Sequence, residues 1–132
     1  MEALKARLES ASLEYQELQQ ELSSAVEVRQ RLDAQLNEND LVQKEFRTLK
    51  PENTVYKLVG PVLVPQDQEE AKQNIAKRID LIKGDINRVE KQLKDLTEKS
   101  EQKKMEIVET QAAAQGIQQK NGKKAAEKAT AT

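Results

Sequence analysis

The chain has 132 residues, 34% of them charged and only 2% aromatic, with a formal net charge of −1 and a pI near 5.7. That length suits one domain, but 36% hydrophobic residues with so few rings cannot build an ordinary globular core, and near-neutrality supplies no basic field for nucleic acid. Without cysteine or histidine there is no disulfide, no thiolate metal site and no ready general base.

Abundant Glu, Lys, Gln, Leu and Ala suit long amphipathic helices wherever the apolar residues are periodic. From Leu4 the spacing alternates four and three through Leu8, Ala11, Tyr15, Leu18, Leu22, Ala25, Arg29, Leu32 and Leu36, which is a heptad seam. Arg29 stands where an apolar residue belongs; its stem is expected to pack while its guanidinium reaches a carboxylate or water. After Leu36 the stripe runs Asn39, Val42, Phe46, Leu49, with one three-residue step in place of a four. Such a stammer overwinds a coil and rotates its apolar face. Lys50-Pro51 closes the helix, because the residue before proline is pushed out of the helical region. The first helix is therefore placed at 3–49.

Thr54 to Val64, TVYKLVGPVLV, breaks the helical pattern. β-Branched, aromatic and Leu residues flank Gly60-Pro61, the signature of a β-hairpin over 54–64. Paired about that turn, one face carries Val55, Lys57, Val59, Val62 and Val64, and the other Tyr56, Leu58 and Leu63. Both faces are largely apolar, and a lone two-stranded hairpin is marginal in water. The hairpin is thus expected to be an assembly element completed by other subunits.

Asp67 is placed as an N-cap, with Glu70 as its capping-box partner, opening a second helix over 67–119. Its seam is cleaner: Ile75, Ile79, Ile82, Ile86, Val89, Leu93, Leu96. Gly84 falls outside it and is expected either as a tolerated surface glycine or as a point of close approach by a neighbour. Beyond Leu96 the stripe weakens to Ser100, Lys103, Ile107, Thr110, Ala114 and Ile117. Residues 120–132, KNGKKAAEKATAT, have no apolar period and read as a disordered tail. The fold class is mainly α: a long antiparallel two-helix coiled coil joined by a β-hairpin, each helix about 70 Å long. Facing residue numbers then total about 117 at equal rise on both helices. Leu13, Met105 and Val108 lie off the seam in the third farthest from the connection. They are either scattered surface apolars or a contact for apolar surface elsewhere.

The stretch VYKLVGPVLVPQDQEEAKQNIAKRIDLI, Val55 to Ile82, resembles the hairpin and second helix of β-type prefoldin subunits. RQRLDAQLNENDLVQKEF, Arg29 to Phe46, is similar to the subunit-six branch of that family, with glutamine-leucine-x-glutamate-asparagine present as Gln35, Leu36, Glu38 and Asn39 around Asn37. The resemblance covers roughly residues 4–117 and is specific between Arg29 and Ile82. It implies a cytoplasmic, ATP-independent co-chaperone: a heterohexamer of two α-type and four β-type subunits, with hairpins joined into shared β-barrels. The coil tips would hold unfolded proteins such as actin and tubulin and pass them to the cytosolic chaperonin. On that reading Val55, Tyr56, Leu58, Val59, Val62, Leu63 and Val64 serve subunit assembly. Client contact maps only by region, onto Leu4, Leu8, Leu13, Met105, Ile107 and Val108. No cofactor, nucleic acid or membrane is expected. The alternative is a structural coiled-coil scaffold or tether without client binding, although a tether would need only a polar loop where the hairpin stands. Enzymatic activity is not expected, since the carboxylates sit at solvated helical positions and the single turn glycine before Pro61 is unsuited to cradling phosphate.

Overall fold

The computed structural model describes residues 2–130, with side chains through residue 120. Four elements follow in order: α1 (Glu2–Arg47), β1 (Val55–Val59), β2 (Val62–Gln66) and α2 (Gln68–Thr130). The two strands form one antiparallel sheet. By contact, the chain divides into a hairpin unit, Ala25–Gln92, and a terminal unit, Met1–Ser24 with Leu93–Thr132. Segments of both helices contribute to each.

In the hairpin unit the core lies along α2, where Ala71, Ile75, Ile79, Ile82, Ile86 and Val89 are buried together with Ala25 of α1. This is the predicted stripe, and it is buried because four-three spacing keeps one line of side chains facing the partner helix. Arg29 is half-buried; its Nη2 lies 2.9 Å from Glu90 Oε1 as an ion pair, and its Nη1, 3.7 Å from Asp33, is buried without a hydrogen-bond partner among the described residues. The seam thus accepts a cation by turning its head to carboxylates at the rim.

In the terminal unit Ala11 and Leu96 are buried, but so are Ser100 and Thr110. Gln19 Nε2 donates to Ser100 Oγ at 2.6 Å, and the Thr110 hydroxyl donates to its own helix at Glu106 O, 2.7 Å away. Arg7 pairs with Glu106, Glu14 with Lys103 and Gln19 with Ser100, so numbers rise along α1 as they fall along α2. The helices are therefore antiparallel here, and Arg29 with Glu90 continues the same numbering in the hairpin unit.

Each element's boundaries differ from expectation by one or more residues. α1 ends at Arg47 rather than residue 49, because Thr48 and Leu49 already bond back three residues, to Glu45 O and Phe46 O, in a tightened final turn. β2 runs on to Gln66, past the predicted end at Val64, since Pro65 is tolerated on an edge strand. α2 begins at Gln68 and continues to Thr130, where a disordered tail was expected from Lys120. Alanine, lysine and glutamate in KKAAEKA are strong helix formers, so helix continues without an apolar stripe. Residues 131–132 of that expected tail lie outside the described residues.

Candidate functional site

The chain enters the hairpin through a turn built from its own polar groups. Lys50 N donates to Asn53 Oδ1 at 2.7 Å, and Asn53 N returns a bond to Lys50 O at 3.0 Å. Gln68, at the start of α2, donates its amide to both Lys50 O and Asn53 O, at 2.8 and 2.5 Å. The exit is capped by Asp67, whose Oδ2 accepts from Glu70 N at 3.2 Å and whose carbonyl accepts from Ala71 N at 2.9 Å. Entry and exit are thus tied to one another beneath the strands.

Between them the register is Val55 with Gln66, Tyr56 with Pro65, Lys57 with Val64, Leu58 with Leu63, and Val59 with Val62. Gly60 and Pro61 form the two-residue turn, and Gly60 takes φ 60°. Such hairpin turns require a positive φ at the first central position, where a β-carbon would be strained, and the ring-fixed φ of Pro61 suits the second. Facing residues in an antiparallel pair point to the same side. One face therefore holds Val55, Lys57, Val59, Val62, Val64 and Gln66, and the other Tyr56, Leu58, Leu63 and Pro65, as the sequence pattern requires.

Among the described residues, nothing covers most of either face. Tyr56, Leu58, Val59, Val62, Leu63 and Val64 are 43–67% exposed, and the paired residues Val55 and Gln66 are partly sheltered. At about 25 cal/mol per Å² of apolar surface, leaving six such side chains in water forgoes several kcal/mol that a neighbour could recover. A groove continues from β1 onto the helices, lined by Val42, Phe46, Tyr56, Ile75 and Leu81 among others. Leu81 is 68% exposed, and Leu41 is similarly open. Sequence reasoning passed over both, although the heptad count that set Leu13 off the seam sets these off it as well.

The six residues assigned by region to client contact divide into two sets. Leu13, Met105 and Val108 are 62%, 63% and 57% exposed, whereas Leu4, Leu8 and Ile107 are half-buried along the seam. In the same unit lies a charged cluster that the sequence reading did not assemble. Lys103, a seam position, bonds Glu14 across the coil and Glu106 one turn on at 3.0 Å, and Glu106 also accepts from Arg7 Nε at 3.4 Å. Hydrogen bonding to Glu14 and then Glu106 holds the Lys103 ammonium above its usual range. Bonds from Lys103 and then Arg7 hold the Glu106 carboxyl below its own. Only the Lys103–Glu106 spacing was visible in one dimension; Arg7 and Glu14 arrive from the other helix. Among the described residues no group of acidic side chains is arranged to hold a metal ion, and no helix is long and apolar enough to cross a membrane.

Two long helices joined by an exposed apolar hairpin of two antiparallel strands define a class: mainly helical coiled-coil proteins with a β-hairpin between the helices. The chain belongs to the prefoldin family, the family model described as Prefoldin subunit matching residues 9–114. It is 41% identical over 117 residues to prefoldin subunit 6 of Bos taurus, covering 89% of this chain and 91% of the relative. It is 43% identical over 94 residues to prefoldin subunit 6 of Saccharomyces cerevisiae, covering 71% and 82%. Among solved structures, the prefoldin beta subunit from Thermococcus strain KS-1 superposes with a TM-score of 0.71 at 24% identity, over 81% of this chain and 91% of that one. The beta2 subunit from the same strain gives 0.60 at 25% identity, over 69% and 97%. The fold is that of a prefoldin beta subunit, and family membership makes the chain a subunit of the prefoldin co-chaperone, assembling with other prefoldin subunits.

Proposed function

We propose that the chain is a β-type subunit of a cytoplasmic heterohexamer of two α-type and four β-type subunits, in which it binds unfolded proteins such as actin and tubulin without ATP and hands them to the cytosolic chaperonin. The observation that carries the assembly half is the hairpin itself, apolar on both faces and exposed on both. A tether has no use for such an element. The observation behind the client half is the exposure of Leu13, Met105 and Val108 in the terminal unit, where apolar side chains can meet apolar segments of a non-native chain, and the thioether adapts to varied shapes.

Two substitutions sets test the halves separately. Val59→Asp or Leu63→Asp places a charge where apolar cover is needed, and co-expression with the other subunits followed by native mass measurement should show loss of the hexamer while the chain remains helical. A hexamer of unchanged mass and yield would remove the assembly role. Leu13→Ser with Met105→Ser and Val108→Ser should leave the hexamer intact and weaken its suppression of denatured-actin aggregation. Full suppression by that triple variant would leave these residues without a client role and favour the scaffold reading.

A further inference from the structure

A two-stranded hairpin standing alone is marginal in water, and this one leaves most of both faces uncovered, so its own pairing is weak support. At the tip the strands are fixed by Gly60, with φ 60°, and by the ring of Pro61. The other end has no such turn. Val55 with Gln66 is the last pair of the ladder, and beyond it the chain runs back to Lys50 on one side and on to Asp67 on the other.

What closes that end is one side chain. Gln68 Nε2 donates to Lys50 O at 2.8 Å and to Asn53 O at 2.5 Å, spanning 18 and 15 residues of chain. Both acceptors are carbonyls, so the amide nitrogen has to face them, and its two N–H groups serve one each. The acceptors are themselves held in place: Lys50 O also accepts from Asn53 N at 3.0 Å, and Lys50 N donates to Asn53 Oδ1 at 2.7 Å. Gln68 is steadied from its own side, because Asp67 caps α2 through Glu70 N and Ala71 N, and Ala71 is buried on the apolar line of that helix. Among the described residues no other side-chain hydrogen bond or ion pair joins 47–54 to 67–72.

A tie across the base lowers the entropy that strand pairing has to overcome, since the ends of β1 and β2 are already close. The same tie fixes the direction in which the strands leave the helices. As the first residue of α2, Gln68 also has a plainer role in starting that helix. The two roles call for opposite chemistry. A helix N-terminus favours a negative side chain and disfavours a positive one, whereas two carbonyls need a donor.

We propose that Gln68 is a latch for assembly: a positioning residue that keeps the hairpin paired and aimed in the free chain, so that other prefoldin subunits meet a preformed surface. The inference rests on the reading of the hairpin as the assembly element and adds the residue that makes it ready. A subunit whose competent form is only partly populated binds with an affinity reduced by that fraction, and this fraction is what Gln68 controls.

The test compares Gln68→Glu and Gln68→Lys in the full chain. The first suits the start of a helix but turns acceptor oxygens toward two carbonyls. The second opposes the helix dipole but keeps a donor on a side chain long enough to reach them. Mixed with the other subunits and followed by native mass spectrometry, Gln68→Glu should weaken incorporation about fivefold, the scale of one net hydrogen bond, and Gln68→Lys should stay within about twofold of the unmodified chain. In the free chain, cross-strand nuclear Overhauser contacts of Tyr56 with Pro65 and of Leu58 with Leu63 should weaken in Gln68→Glu and persist in Gln68→Lys. Incorporation of Gln68→Glu at the unmodified level, or a larger loss for Gln68→Lys than for Gln68→Glu, overturns the latch. So does a loss of incorporation with the cross-strand contacts intact. If Val59→Asp prevents assembly while Gln68→Glu does not, the latch fails and the assembly reading stands. If neither matters, the assembly reading itself fails.

Discussion

The hairpin unit and the terminal unit draw on the same two helices but hold them together by different forces. In the hairpin unit four isoleucines and Val89 of α2 are buried in an unbroken run, so its stability is dominated by apolar area removed from water. In the terminal unit Ser100 and Thr110 occupy the buried line, and Arg7, Glu14, Lys103 and Glu106 form a charged network beside it. Ion pairs this exposed contribute little and are screened by salt. The difference teaches how a pair of helices can be firm beneath an apolar hairpin and looser where Leu13, Met105 and Val108 are exposed.

The largest expected effect comes from the firm side. Ile82→Ala, at a site 7% exposed, should cost about 2–5 kcal/mol in urea unfolding of the full chain. Ser100→Ala, which removes a hydroxyl and its bond from Gln19, should cost only about 1 kcal/mol. Equal costs at the two sites would erase the distinction between the units.

Acidity should sharpen it. Because the Glu106 carboxyl is held below its ordinary value, its contribution to folding is complete above that value and is lost as pH falls through the depressed one. Lys103 has the opposite sign: raised above 10.5, it contributes fully below that pH and loses its contribution as pH climbs through the raised value. The network should therefore add its small contribution to the terminal unit between these limits and lose it on acidification. Backbone NMR signals of residues 2–24 and 93–120 should change at a higher pH than those of the buried run from Ile75 to Val89. Simultaneous loss would show that the charged network does not set the limit.

The smallest effect belongs to Gly84. A β-carbon built there meets nothing within 4 Å, and the site is helical, so Gly84→Ala should stabilise the isolated chain by about 1 kcal/mol. If the same change impairs incorporation into the complex, the open face at Gly84 is an approach surface for a neighbour and the hairpin unit has a second contact beyond its strands.

Much of the fold was legible because its signals are local. Four-three spacing names Ile75 to Leu96 as one buried line on any straight helix, Pro51 ends α1's reach, Asp67 caps α2, and Gly60-Pro61 leaves two short apolar runs no choice but to fold back. The two faces of the hairpin follow from a period of two and needed no coordinates. The candidate assembly residues were legible for the same reason: a side chain's face is fixed by counting along its own strand. Leu13, Met105 and Val108 were legible as off-seam residues in the third farthest from the connection, whereas Leu41 and Leu81 carry the same off-seam signal close to the hairpin.

What the tertiary structure decided depends on groups far apart in the chain. The charged cluster required α1 and α2 to meet in a particular register, since Arg7 and Glu14 reach Lys103 and Glu106 across roughly ninety residues. Gln68 binds Lys50 and Asn53 only after the hairpin has returned the chain to its starting point. The groove beside β1 likewise gathers Val42, Tyr56 and Arg78 from three elements. Periodicity determines which side of an element is apolar; only the packed partner determines which polar group stands opposite, because hydrogen bonds and ion pairs depend on ångström distances that no spacing along a single chain contains.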